Sequence, residues 1–278
     1  MKEKVFDFGE NKSLSGVATL PGERSERSKT AVILLNSGLI HRVGPSRLYV
    51  KLARLAAEMG FLAFRLDFSG IGDSEVRTDN LPFAKSSVAE TQTAMDFLSQ
   101  KLGVTSFILT GICAGGDVAF ETAKCDPRVR AILPIDFFNI PSKGYHLQRY
   151  KQRMLRMESW KRLLSGKSDL WSRVKKSSEP ETLLQEQVEQ TVEMFENFLD
   201  ENSIGSDTNV LLRNDVSCCF LYSSESAGFY NFQNMFKAQI DESPKFRMIC
   251  IEESDHGFTL ARSQTRLLAA IGEWLDRF

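Results

Sequence analysis

The apolar and polar positions alternate between two signatures: short continuous apolar runs, and longer segments whose apolar residues recur at helical spacing. KVFDF (4–8) and LSGVATLP (14–21) predict two opening strands joined by a short polar turn, with a charged loop over 22–29. TAVILLNS (30–37) is continuously apolar, as a strand covered on both faces must be. SRLYVKLARLAAEMG (46–60) places Leu48, Leu52, Leu55 and Ala56 on one stripe and ends at Gly60, which predicts a helix. The alternation then repeats as strand FLAFRLDFSG (61–70), a helix over 83–103, strand VTSFILTG (104–111), helix AGGDVAFETAK (114–124) and strand VRAILPID (129–136). Strands and helices at this spacing predict an α/β protein, a mostly parallel sheet with helices on both faces.

The rhythm stops after the sixth strand. Between 141 and 209 no buried-strand pattern occurs and the segment reads as helical. Its charge is segregated: 143–176 carries eleven Lys/Arg against two acids, and 179–207 carries nine acids and no Lys or Arg. A connection this long is usually functional, so 141–209 is expected to be a helical cap or lid on a core formed by 1–140 and 210–278. The basic half could dock an acidic carrier protein. The simpler reading pairs the two halves as antiparallel cap helices. The alternation resumes with VSCCFLYSS (216–224), a helix near 229–240, strand FRMICIEES (246–254) and a closing helix over 263–278.

Composition narrows the class. A net charge of −1 gives no argument for a nucleic-acid partner, and no run of eighteen apolar residues offers a membrane span. The N-terminus lacks the apolar core of a signal peptide, and five cysteines without metal-ligand spacing imply a reducing compartment. A cytoplasmic protein is expected, with neither cofactor nor metal called for. Oligomeric state is not legible.

The candidate chemistry sits in LTGICAGGDVAF (109–120), where a buried strand meets a helix through Gly111-Ile-Cys-Ala-Gly115. A free cysteine is most often a small buried apolar residue. Here Cys113 stands at the apex of a turn so tight that its flanking residues must be small, and the helix that follows presents its positive dipole end, which favours an anion.

Strand, Gly-x-nucleophile-x-Gly and helix together resemble the nucleophile elbow of the α/β-hydrolase superfamily. RLDFSGIGDSE (65–75) is similar to the D-x-x-G-x-G-x-S stretch after that family's fourth strand, and 33–61 is similar to its third strand, oxyanion loop and first helix. Within the superfamily the chain resembles the small hydrolases associated with exosortase and exopolysaccharide loci. The Gly-x-Cys-x-Gly-Gly elbow is similar to that of dienelactone hydrolase, a family without a cap of this size. The resemblance covers nearly the whole chain apart from the insertion.

It implies the α/β-hydrolase fold and a Cys-His-acid triad. Cys113 would be the nucleophile. The base is expected after the last strand, where EESDHGFTL supplies His256, one of three histidines. His146 falls in the insertion and His41 in the oxyanion loop. The acid is expected after the seventh strand: the usual Asp position falls on Ser226, and Glu225, one residue earlier, is taken as the acid, with Asp136 at the close of the sixth strand, a place some lipases use, as the alternative. A Cys-His dyad is a further possibility. The oxyanion hole would take the N–H groups of Ala114 and Leu39, with Gly38 permitting the turn. His41, Arg42 and Arg47 are substrate-binding candidates, with a solvated loop edge as the alternative for the arginines. Asp73 reads as a turn-stabilising residue.

The expected activity is thioesterase- or esterase-type hydrolysis of a small-molecule acyl substrate through an acyl-cysteine. One alternative is acyl transfer from a coenzyme A or carrier-protein thioester to an amine, alcohol or thiol. The other is a binding protein on a hydrolase scaffold.

Overall fold

Each short apolar run becomes a strand. A computed structural model describes residues 1–22, 28–137, 204–224, 226, 228–229 and 243–278. The strands are β1 (Lys2–Phe8), β2 (Leu14–Leu20), β3 (Thr30–Leu35), β4 (Leu62–Asp67), β5 (Ser106–Ile112), β6 (Val129–Ile135), β7 (Ser217–Ser223) and β8 (Phe246–Ile251). They form one eight-stranded sheet in the order β1-β2-β4-β3-β5-β6-β7-β8. β2 pairs antiparallel with β1 and with β4; the other pairings are parallel.

Burial on both faces explains why the central strands read as unbroken apolar runs. Ile33, Leu35, Phe107, Leu109, Phe220 and Tyr222 enter one core, while Val32, Leu34, Ile108, Ile112, Cys219 and Leu221 enter the other. The helices divide accordingly. Helices α1 (Leu48–Glu58) and α5 (Ala261–Leu275) bury Leu48, Leu52, Leu267, Ile271 and Trp274 in the second core. Helices α2 (Phe83–Leu102), α3 (Ala114–Cys125) and α4 (Ile204–Arg213) bury Met95, Leu98, Val118, Phe120 and Leu211 in the first.

Helix α4 begins inside the segment that the sequence assigns to the insertion. Its Thr208 and Leu211 are fully buried, and Asp207 accepts a 2.9 Å bond from Lys124 Nζ on α3, so these positions belong to the core. The expected cap over 141–203 and the helix near 229–240 lie outside the described residues. Among the described residues, no helix is long and apolar enough to cross a membrane, and no cluster of His, Cys, Asp and Glu is arranged to hold a metal ion.

The strand order locates a crevice. From β3 the chain crosses to β4 on one side; from β5 it crosses to β6 on the other. Loops leaving the carboxyl ends of β3 and β5 therefore diverge, and an open α/β sheet binds ligands at that point. The β3 loop begins at Asn36, and the β5 turn carries Cys113.

Candidate active site

Cys113 sits between β5 and α3 with φ 54° and ψ −125°, a region that non-glycine residues rarely occupy. Such a conformation costs on the order of 1–3 kcal/mol and persists only where the surroundings impose it. Three bonds do so. Ile112 N–H donates to the Tyr49 hydroxyl at 2.8 Å, Cys113 N–H to the Ile135 carbonyl at 2.9 Å, and Gly116 N–H to the Cys113 carbonyl at 2.8 Å. The flanking glycines are a steric necessity. A Cβ on Gly115 would lie 2.6 Å from the Leu35 carbonyl oxygen, and one on Gly111 would lie 2.6 Å from the Gly115 carbonyl carbon.

The Cys113 thiol is half-buried at the start of α3. As the first helical residue, Ala114 has no partner for its N–H within the helix. The close approach of Gly115 to the Leu35 and Asn36 carbonyls sets the β3 loop beside that first turn. There Ile40 N–H donates to the Ser37 carbonyl at 3.1 Å and closes a tight turn with Gly38 and Leu39 at its centre. The two expected oxyanion donors thus stand on adjoining backbone segments.

His256 lies in the loop between β8 and α5. Its Nδ1 is 3.0 Å from Asp136 Oδ2; because a carboxylate only accepts, Nδ1 carries a proton. Asp136 is fully buried at the end of β6, with φ 46°. Its carboxylate also accepts the Ser223 backbone N–H and hydroxyl, each at 2.6 Å, and its own N–H donates to the Leu221 carbonyl at 2.8 Å. The next link runs from β7 to β8. Ser224 N–H donates to the Ile251 carbonyl at 3.2 Å, and Ser254 N–H donates to the Ser224 hydroxyl at 3.2 Å. Gln264 of α5 holds the far side of the histidine loop through a 2.9 Å bond to the Phe258 carbonyl. One chain of bonds therefore ties together the carboxyl ends of β5, β6, β7 and β8.

The hydrogen bond to Asp136 and then the neighbouring Cys113 sulfur push the imidazole's pKa up to about 10 against the opposing effect of burial. Both neighbours favour the protonated ring, which faces a carboxylate on one side and a sulfur on the other.

The candidate acid Asp136 is bonded to the histidine. Glu225 lies outside the described residues. Ser226, at the position where the resembled hydrolases carry Asp, is buried, and its hydroxyl has no hydrogen-bond partner. Arg42 is committed elsewhere, its guanidinium paired with Asp67 and Asp73. Burial acts to lower its pKa, but the bonds to Asp73 and Asp67 outweigh it and hold the group above its ordinary value. Arg47 is exposed at the start of α1, and exposed His41 accepts a bond from Val43 N–H through Nδ1. Asp73 accepts from Arg42, in keeping with a turn-stabilising residue. Sequence reasoning passed over Tyr49, Ser223, Ser224, Ser254 and Gln264. Only the serine-rich end of β7, YSS, hinted at them.

Comparisons with known proteins agree with this architecture. The family model described as PhoPQ-activated pathogenicity-related protein matches residues 64–159, which span the fourth strand, the elbow and the sixth strand. A search of curated proteins returned no match. Among solved structures, an esterase of Pyrococcus furiosus is 13% identical, with a TM-score of 0.68 over 100% of this chain and 91% of that one. Dienelactone hydrolase from Anabaena variabilis is 11% identical, with a TM-score of 0.60 over 100% and 98%. A serine hydrolase without lid from Xanthomonas campestris is 10% identical, with a TM-score of 0.56 over 99% and 94%. The chain has the α/β-hydrolase fold.

Proposed function

We propose that this α/β-hydrolase-fold protein is an enzyme that cleaves an ester or acyl thioester through an acyl intermediate on Cys113. The observation that carries the reading is the line Asp136–His256–Cys113, set at the crevice where the strand order reverses.

In the first half-reaction the Cys113 thiolate attacks the acyl carbonyl. The N–H groups of Ala114 and Leu39 receive the oxygen as it becomes negative. Collapse of the tetrahedral adduct breaks the bond to the leaving alcohol or thiol, which takes a proton from the His256 imidazolium. In the second half-reaction water gives a proton to His256 and adds to the acyl carbon. The bond to Cys113 breaks, and the sulfur and the protonated His256 are left as they were at the start of the cycle. Asp136 holds the ring orientation and stabilises its charge; it stays ionised throughout.

A second reading, acyl transfer, is favoured by the nucleophile itself. An acyl-cysteine is a thioester, so loading from a coenzyme A or carrier-protein thioester is close to thermoneutral. The intermediate stays reactive toward amines and thiols. The other alternative, a catalytically weak binding protein, is opposed by the strained elbow and the aligned carboxylate.

The test is intact-mass spectrometry after incubation with matched acyl esters, acyl-CoA and carrier-protein thioesters. An adduct of acyl mass that maps to Cys113 supports the proposal. Release of product without any adduct on a slow acyl group, or an adduct at another residue, overturns it.

A further inference from the structure

We infer that Asp67, at the end of β4, is a positioning residue for the oxyanion loop, acting through the Arg42 backbone and the Asn36 side chain. The inference rests on the proposed Cys113 chemistry and names what makes its oxyanion site rigid.

Asp67 is fully buried, and its two oxygens serve different segments. Oδ1 accepts the backbone N–H of Arg42 at 2.6 Å and Asn36 Nδ2 at 3.2 Å. Oδ2 accepts the Arg42 guanidinium and the backbone N–H of Asp73 at 3.3 Å. Asn36 extends the clamp: its Nδ2 also donates to the Ile40 carbonyl at 3.0 Å, and its Oδ1 accepts Phe68 N–H at 2.8 Å. The loop from 36 to 42 is thus held at both ends by one carboxylate, and Leu39 lies between the held points. Asn36 is also where the loop touches the elbow, since its carbonyl oxygen lies 2.7 Å from a Cβ position on Gly115.

Gly72, at φ +55°, brings its backbone so near that a Cβ there would lie 2.2 Å from Oδ2. A side chain at 72 would press on the carboxylate, so the turn needs glycine there. A buried charge is costly unless fully hydrogen-bonded, and this one is satisfied by groups from the loops that follow β3 and β4. Oxyanion donors work only when fixed before charge develops, because their value comes from preorganisation. A loop anchored at 36 and 42 meets that condition. Exposed Leu39 and Ile40, with little packing of their own, do not supply it. The same geometry removes Arg42 from substrate recognition, because its guanidinium is held by Asp67 and Asp73.

The experiment compares wild type with Asp67→Asn, Asn36→Ala and Arg42→Ala on two readouts. Turnover of p-nitrophenyl butyrate needs the oxyanion hole; alkylation of Cys113 by iodoacetamide needs only the nucleophile. Asp67→Asn is expected to lower kcat roughly 10- to 100-fold, within the range for loss of an oxyanion donor, with KM changed little and the alkylation rate kept. Asn36→Ala should behave similarly, and Arg42→Ala more mildly because its backbone N–H remains. If Asp67→Asn does not fold, the other two variants carry the test. Unchanged kcat in the folded variants, or alkylation that falls in step with turnover, would overturn the inference. Wild type that alkylates but never turns over an acyl substrate would instead sink the proposed function.

Discussion

His256 Nδ1 and Asp136 Oδ2 lie 3.0 Å apart although 120 residues separate them in the chain. The contact exists because β6 and β7 are parallel neighbours and β8 follows β7, so three consecutive carboxyl ends converge. Ser223 closes the arrangement by donating twice to the same carboxylate. The carboxylate is therefore fixed by groups other than the histidine it pairs with.

That relationship ranks the candidate acids. Asp136→Asn is expected to slow acyl turnover roughly 10³- to 10⁴-fold, the scale seen when a triad carboxylate becomes an amide. Glu225→Gln should cost much less. Steady-state kinetics on both variants, with circular dichroism to confirm folding, decides the matter. The reverse ranking would hand the role to Glu225, and no effect from either would leave a dyad.

The acid was the part of the site least legible in the sequence, for a definite reason. Motif spacing places residues along the chain, and it singles out Cys113, His256 and the β3 loop as candidates because each sits in a local turn. Asp136 meets His256 through lateral strand pairing, and nothing local marks the Asp that ends ILPID off from Glu225 in SSES. The same holds for Asp67. Its motif was visible in RLDFSGIGDSE, but the residues it holds, Asn36 and Arg42, come from another loop. The fold was easier, since continuous apolar runs report burial on both faces directly. Among the described residues, α4 starts inside the segment read as insertion, because its first turn continues the acidic composition before it.

Labelling should be selective. Burial pushes the thiol of Cys218 well above its ordinary range and that of Cys219 up to about 12, and it raises those of Cys125 and Cys250 as well. Limiting iodoacetamide at neutral pH is expected to modify Cys113 first, and Cys113→Ala should remove both the fast phase and all acyl labelling. Peptide mapping provides the check. A fast phase that survives in Cys113→Ala contradicts the assignment.

Stability should carry the signature of the imidazolium. The folded-state pKa of His256, about 10, lies above the unfolded value of 6.5, so protonation favours the folded state. The contribution is complete below about pH 6.5 and is lost as pH rises through about 10. The difference in Tm between wild type and His256→Gln should therefore shrink steadily across that window. The half-exposed ring keeps the effect modest. A difference that is flat with pH, or an imidazole proton resonance that titrates near 6.5, would show that the ring is not paired as described.

Glycine substitutions should separate elbow sterics from ordinary helix propensity. Gly115→Ala forces a Cβ to 2.6 Å from the Leu35 carbonyl, a backbone atom that cannot turn aside. A loss of about 1–3 kcal/mol or more is expected. Gly272→Ala, inside α5, meets nothing closer than Leu55 Cδ2 at 3.7 Å and should stabilise by roughly 0.5–1 kcal/mol. Urea unfolding of both variants is the measurement. Equal effects would mean that the elbow has room the geometry does not allow.

The nucleophile poses the last question, because a serine would serve hydrolysis as well as a cysteine does. A thioester intermediate keeps the free energy needed to acylate an amine or another thiol, whereas a serine ester has largely spent it. The expected outcome is therefore an acyl-enzyme whose decay responds to the acceptor. It can be formed on Cys113 with a chromogenic thioester, separated from excess donor, and chased with water alone or with added amines, alcohols and thiols. If an acceptor accelerates release and appears in the product, His256 is accepting a proton from that nucleophile in place of water, and the enzyme transfers acyl groups. If decay is fast in water and no acceptor diverts it, the same residues perform plain hydrolysis. Either result leaves the proposed roles of Asp136 and His256 the same, since both reactions need one imidazole that gives a proton to the departing alcohol or thiol and then takes one from the incoming acceptor.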